Sequence, residues 1–189
     1  MFDEAASLFR ALDRELWLIT SQHAGRASGL IATSVSQASI SESRPRLIAG
    51  LARHHLTGQL VEGSGAFAAH LLDASLHEWV RHFGTQSGSE TDKFSGLATH
   101  EGITGAPILS EAGAWVECRV ETSLDAGDRS WHLAEIVDAK WSEGFIPYTV
   151  QQFLGRADDR LKAVLKQQLE ADSLTDERLI ADWNSRRSG

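Results

Sequence analysis

The stretch "GAWVECRVETSLDAGDRSWHLAEIVDAKW" runs from Gly113 to Trp141. Its two halves, 113–124 and 129–141, alternate apolar and polar residues around Asp125-Ala126-Gly127-Asp128. Period-two alternation about a Gly-bearing turn signals an antiparallel β-hairpin. Further strands are expected at "LWLITSQ" (16–22), at 29–40, at "RPRLIAGLA" (44–52, entered through Pro45) and at "AFAAHLL" (66–72). Helices are expected at 3–11, 54–65, 74–84, 156–170 and 175–184, and a long loop over 84–105. The 74–84 segment carries Leu76, Trp79, Val80 and Phe83 on one face. Strands do not alternate regularly with full-length helices, which argues against a doubly wound parallel sheet. The fold class read from this pattern is mainly β, an antiparallel barrel with peripheral helices.

The chain has 189 residues, a net charge of −8 and scattered basic residues, so phosphate-backbone binding to nucleic acid is not expected. No apolar run is long enough to span a membrane. The N-terminus lacks a signal-peptide layout, and the single cysteine, Cys118, permits no internal disulfide. A reducing, cytoplasmic location is the expectation. Cys118 lies on an alternating strand and reads as a buried structural thiol.

Several motifs read as structural. "GSGAFA" (63–68) has the lettering of a dinucleotide fingerprint, but a helix precedes it and a strand follows, the reverse of the required context. The eight histidines include no HExxH motif. His54 and His55 are neighbours, and on a strand or helix they would point apart, so no metal site is expected from them. Among the six tryptophans, Trp131 and Trp141 are candidates to flank a planar ligand, with core packing as the simpler role.

"SGLIATSVSQASIS" (28–41) carries the chemistry. Small side chains let a ligand approach the main chain, and backbone N–H groups with the hydroxyls of Thr33, Ser34, Ser36 and Ser39 can donate to a polar planar ring. A flavin has such an edge, and donors near its N1 and N5 tune its redox state. "ARHHLTG" (52–58) places Arg53, His54, His55 and Thr57 at a helix start, a phosphate-binding arrangement, and Lys93 can add a second cation.

The order of these pieces resembles the flavin reductase domains of the FMN-binding split-barrel class. The resemblance rests on "SGLIATSVSQASISESRPRLIAGLA" (28–52), "LTGQLVEGSGAFAAHLL" (56–72), Thr91-Asp92-Lys93-Phe94-Ser95, "GAPILSEAGAWVECRV" (105–120) and "GDRSWHLAEIVDA" (127–139). It covers about residues 10–140. Arg129 stands where the family has His, Ala134 where it has Gly, and His70 where it has a strand Asn. The resemblance implies an antiparallel split β-barrel over residues 1–150, with 151–189 a helical extension packing on the barrel or a dimer partner. It implies a homodimer with FMN near the interface, FAD being the alternative, and NADH or NADPH as hydride donor. It further implies a partner oxygenase as a taker of the reduced flavin. Ile31, Ala32, Thr33 and Ser34 would hold the ring edge, and Ser39 the ribityl or ring region. Arg53, His54, Thr57 and Lys93 would hold the phosphate, with His132 beside the nicotinamide. A flavin-binding electron carrier without enzymatic activity is the second reading, and a split barrel holding haem or another flavin-like cofactor the third.

Overall fold

The structure, a computed structural model, describes residues 2–187. Its elements in chain order are α1 (Phe2–Ala11), β1 (Trp17–His23), β2 (Arg26–Ala32), β3 (Val35–Gln37), β4 (Arg46–Ala52), α2 (Leu56–Ser64) and β5 (Ala66–Leu71). There follow α3 (His77–Thr85, entered through a 3-10 turn), β6 (Thr99–Glu101), β7 (Pro107–Leu109), β8 (Ala114–Asp125), β9 (Arg129–Trp141), α4 (Val150–Arg156) and α5 (Asp159–Arg187). Seven strands form one sheet in the order β2-β1-β5-β8-β9-β4-β3, with every neighbouring pair antiparallel. β6 and β7 pair separately.

The β8–β9 hairpin is the spine of the sheet. Its register slips between Glu117 and Cys118 and again between Val120 and Thr122. Such bulges increase local twist, which helps curl a long hairpin toward a half-barrel. The β1–β2 turn places Ala24 and Gly25 at positive φ (49° and 76°), the requirement of a tight two-residue hairpin. α2 ends where Gly65, at φ 68°, adopts the left-handed conformation.

Alternation sorts the side chains onto two sides of the sheet. One cluster joins Ile19, Ala49, Leu51, Val61, Phe67, Ala69, Cys118 and Ala134. The other joins Leu16, Leu18, Leu72, Trp79, Val80, Phe83, Leu109, Tyr148 and Phe153 beneath α3 and the start of the C-terminal segment. Cys118 is wholly buried, and burial pushes its thiol up to about 12. Glu117, also wholly buried, accepts from the Ile103 and Thr104 amides at 2.9 Å each and from Thr104 Oγ1 at 2.6 Å. It thereby ties the turn between β6 and β7 to the sheet. His70 lies at the family's Asn position and is wholly buried. Its Nε2 accepts from the Leu109 amide (3.2 Å), so the proton sits on Nδ1, which donates to the Leu18 carbonyl (3.0 Å).

Three expectations change. The extended piece at 29–40 is two strands, β2 and β3, broken at Thr33-Ser34. A short strand, β6, lies inside the expected long loop. The two C-terminal helices are one: α5 continues unbroken through 171–175, a segment without Gly or Pro, where Thr175 Oγ1 donates back to the Ala171 carbonyl at 3.1 Å. Leu161 and Leu165 pack α5 onto the cluster beneath α3, while Leu154 and Leu169 are exposed. Near its far end Trp183 lies against the β8–β9 turn, where a Cβ on Gly127 would stand 2.9 Å from the Trp183 Cβ. Among the described residues no helix is long and apolar enough to cross a membrane.

Candidate functional site

The sheet does not close between β2 and β3, and a cleft of about 570 Å³ lies along the split. One wall is Gly29 to Ser34, and the other is Gly50 to Ala52 at the end of β4. β2 is an edge strand, so half of its backbone N–H and C=O groups point away from β1. Small side chains leave that backbone accessible. Gly50 has a packing reason as well: a Cβ there would come within 2.9 Å of the Trp131 ring. Trp131 thus packs on β4, and Trp141 stacks edge-on with Phe145 at 5.2 Å. Neither lines the cleft.

The start of α2 forms one end of the cleft. His55 is its N-cap and makes no side-chain cap bond, while Leu56 and Thr57 face the cavity. First-turn amides of such a helix suit an anion. Gly58 allows the close fit, since a Cβ would approach the Ala52 carbonyl oxygen to 2.7 Å. Thr57 Oγ1 donates to Ser28 Oγ at 3.0 Å, which fixes the hydroxyl.

Of the ten residues given a flavin or nicotinamide role by the resemblance, Ile31, Ala32, Thr33, Ser34, His54, Thr57 and Lys93 line this one cleft. Three do not. Arg53 turns away to Asp125 (2.9 Å) and Glu62 (3.9 Å), because its side chain leaves on the far side of the β4–α2 turn. Ser39 lies past β3, where its hydroxyl accepts from the Ser41 amide (3.1 Å). His132 is wholly buried within β9 and shares a hydrogen bond with Ser123 Oγ through Nδ1 (2.8 Å). Burial holds its imidazole below the ordinary value, and it does not line the cleft. Lys93 lines the cleft but is only 5% exposed, and its Nζ donates to the Gly29 (2.9 Å) and Phe83 (3.0 Å) carbonyls. Burial lowers its ammonium to about 8. It braces the wall of the cleft from behind.

The polar end holds residues that the sequence reading did not place there. Arg129 lines the cleft and pairs with Asp128 (2.5 Å) and, across to α5, Asp176 (3.1 Å). α5 also brings Gln168 and Asp172 to the cleft. Asp172 pairs with His54 Nε2 at 3.2 Å and lies 3.5 Å from His55 Nε2. Burial, then the charge of Asp128, holds the Asp176 carboxyl above the usual carboxylate value. Burial, then neighbouring His54, holds His55 below its ordinary value.

The flavin reductase like domain family matches residues 9–152. This chain belongs to that family. The ferric-chelate reductase (NAD(P)H) of Archaeoglobus fulgidus is 33% identical over 135 residues, which is 70% of this chain and 78% of that protein. Diflavin flavoprotein A 3 of Synechocystis sp. is 32% identical over 139 residues, 71% of this chain but only 23% of that longer protein. A flavin reductase domain protein from Arthrobacter sp. FB24 superposes with a TM-score of 0.71 at 20% identity, covering 80% of this chain and 92% of that one. That likeness confirms the split-barrel fold. The flavin reductase like match ends within α4, so α5 lies outside it. Arg129 had a signal in the sequence, standing at the family's His. Asp172 and Asp176 had none, because only the path of α5 brings them to residues more than a hundred positions away.

Proposed function

We propose that this chain binds FMN in the cleft and is a reductase that passes hydride from NADH or NADPH to the flavin. The observation that carries the reading is the juxtaposition of an open strand edge with an uncapped helix start in one cleft of this family. The residues present fit the group. The walls are small, edge backbone groups face the cavity, and the first backbone amides of α2 offer donors to a phosphate. Bound FMN supplies the hydride-accepting ring. The chain's own part is to hold the ring edge along Ile31 to Ser34, to orient the phosphate at α2 beside His54 and Arg129, and to narrow the cleft against water with α5. Lys93 keeps Gly29, and with it the cleft wall, in place. We also propose a homodimer and transfer of reduced flavin to an oxygenase component.

A flavin-binding electron carrier is favoured by one observation: Arg129 replaces the family's His and is held by two carboxylates. The test is to reconstitute the purified chain with FMN and add NADH or NADPH without oxygen. Bleaching of the flavin band supports the reductase, a yellow protein that does not bleach supports the carrier, and failure to take up FMN overturns both.

A further inference from the structure

The polar end of the cleft holds more than an anion site needs. His54, His55 and Asp172 each offer a ligand atom, and those atoms lie within 4.8 Å of one another. The two imidazoles come from consecutive residues, yet they sit in a turn rather than a strand or helix, and their rings lie side by side, centroids 4.3 Å apart and tilted by 38°. Asp172 reaches them from α5 with both oxygens: Oδ1 lies 3.2 Å from His54 Nε2, and Oδ2 lies 3.5 Å from His55 Nε2. Ligand atoms bound tetrahedrally at about 2.0–2.2 Å stand roughly 3.4 Å apart, so the two His–Asp separations match a chelate, and a small turn of the imidazoles would bring the third pair in from its 4.8 Å limit.

A second observation points the same way. His54 Nδ1 and Asp176 Oδ1 face each other at 3.7 Å, both buried and neither in a hydrogen bond. Asp176 is itself held by Arg129 through its other oxygen. A metal-bound imidazole characteristically donates its second N–H to a carboxylate, which fixes the tautomer. A metal on His54 Nε2 would place the proton on Nδ1, directly toward Asp176.

We propose that His54, His55 and Asp172 bind one divalent transition-metal ion of the zinc class, with Asp176 orienting His54, so that the ion clamps α5 to the start of α2. Two nitrogens and one carboxylate suit zinc and its borderline neighbours over calcium or magnesium, which prefer all-oxygen sites. All three ligands line the cleft, which leaves a fourth position open to water or an anionic ligand. The site goes beyond the flavin reading and stands without it.

The test uses the full chain, free of tag and flavin and stripped with a chelator. Zinc chloride is titrated in competition with a chromophoric chelator, and cobalt(II) chloride in parallel for its ligand-field bands. The expected result is one zinc per chain, tetrahedral-type cobalt bands and a raised thermal midpoint. Asp172→Asn and His55→Gln, both half-exposed side chains, should weaken zinc binding at least about tenfold, and Asp176→Asn about tenfold. His23→Gln, at the exposed end of β1, should leave it unchanged. No uptake by the unaltered chain overturns the site. Uptake that Asp172→Asn and His55→Gln leave intact does so too. Because flavin is absent throughout, either result leaves the FMN reading to its own test.

Discussion

His70 should make this protein acid-labile in a way one substitution removes. Its Nδ1–H donates to Leu18 and its Nε2 accepts from Leu109, and the side chain is wholly buried. A second proton would bury a charge and turn Nε2 into a donor aimed at the Leu109 N–H. Burial accordingly lowers the imidazole from 6.5 to about 4. Between those values the unfolded chain takes up a proton that the folded chain refuses. Stability from this residue is therefore full above pH 6.5 and falls as pH drops toward about 4. At about 1.4 kcal/mol per pH unit, the gap amounts to about 3 kcal/mol, a large part of the 5–15 kcal/mol typical of a domain. His70→Asn keeps a donor for Leu18, loses the acceptor for Leu109 and cannot titrate. It should cost about 1–3 kcal/mol at neutral pH. Urea unfolding of both chains at about pH 7 and about pH 4 should show the unaltered chain losing about 3 kcal/mol more between the two conditions. Equal losses would refute the assignment of His70 as the acid-sensitive group.

Arg53→Ala should leave FMN affinity within about twofold, since this exposed pair with Asp125 is worth little and lies off the cleft, whereas Thr57→Val, which removes the bond that fixes Ser28 in the cleft wall, should weaken it about tenfold; flavin-fluorescence titration compares the two. Gly102→Ala should destabilise the fold by about 1–3 kcal/mol, because the added Cβ would sit 2.1 Å from the buried Glu117 carboxylate; a shifted thermal midpoint is the measure. Cys118 should resist a thiol reagent in the native chain at mildly alkaline pH and react fully in denaturant, as its thiol is buried and pushed up to about 12.

Local chemistry, carried in neighbouring residues, was legible without coordinates. Alternation around Asp125–Asp128 specified the antiparallel hairpin, and the small residues of 28–34 marked where a ligand can meet the main chain. Thr57 and His54, at the entry to α2, were placed at the cleft by the same local signal. What periodicity could not reveal was the direction in which a side chain leaves a turn or a curled strand. Arg53, one residue before His54, points to Asp125 instead, and His132 lies inside the sheet. Nor do residues at the start of α2 encode how α5 will run. That the C-terminal segment is one helix, and that it sets Asp172 and Asp176 against His54, His55 and Arg129, follows from packing Leu161 and Leu165 at one end and Trp183 at the other. A hydrophobic stripe records that a helix will dock. Only the shape of the surface it docks on decides which of its polar residues reach the cleft.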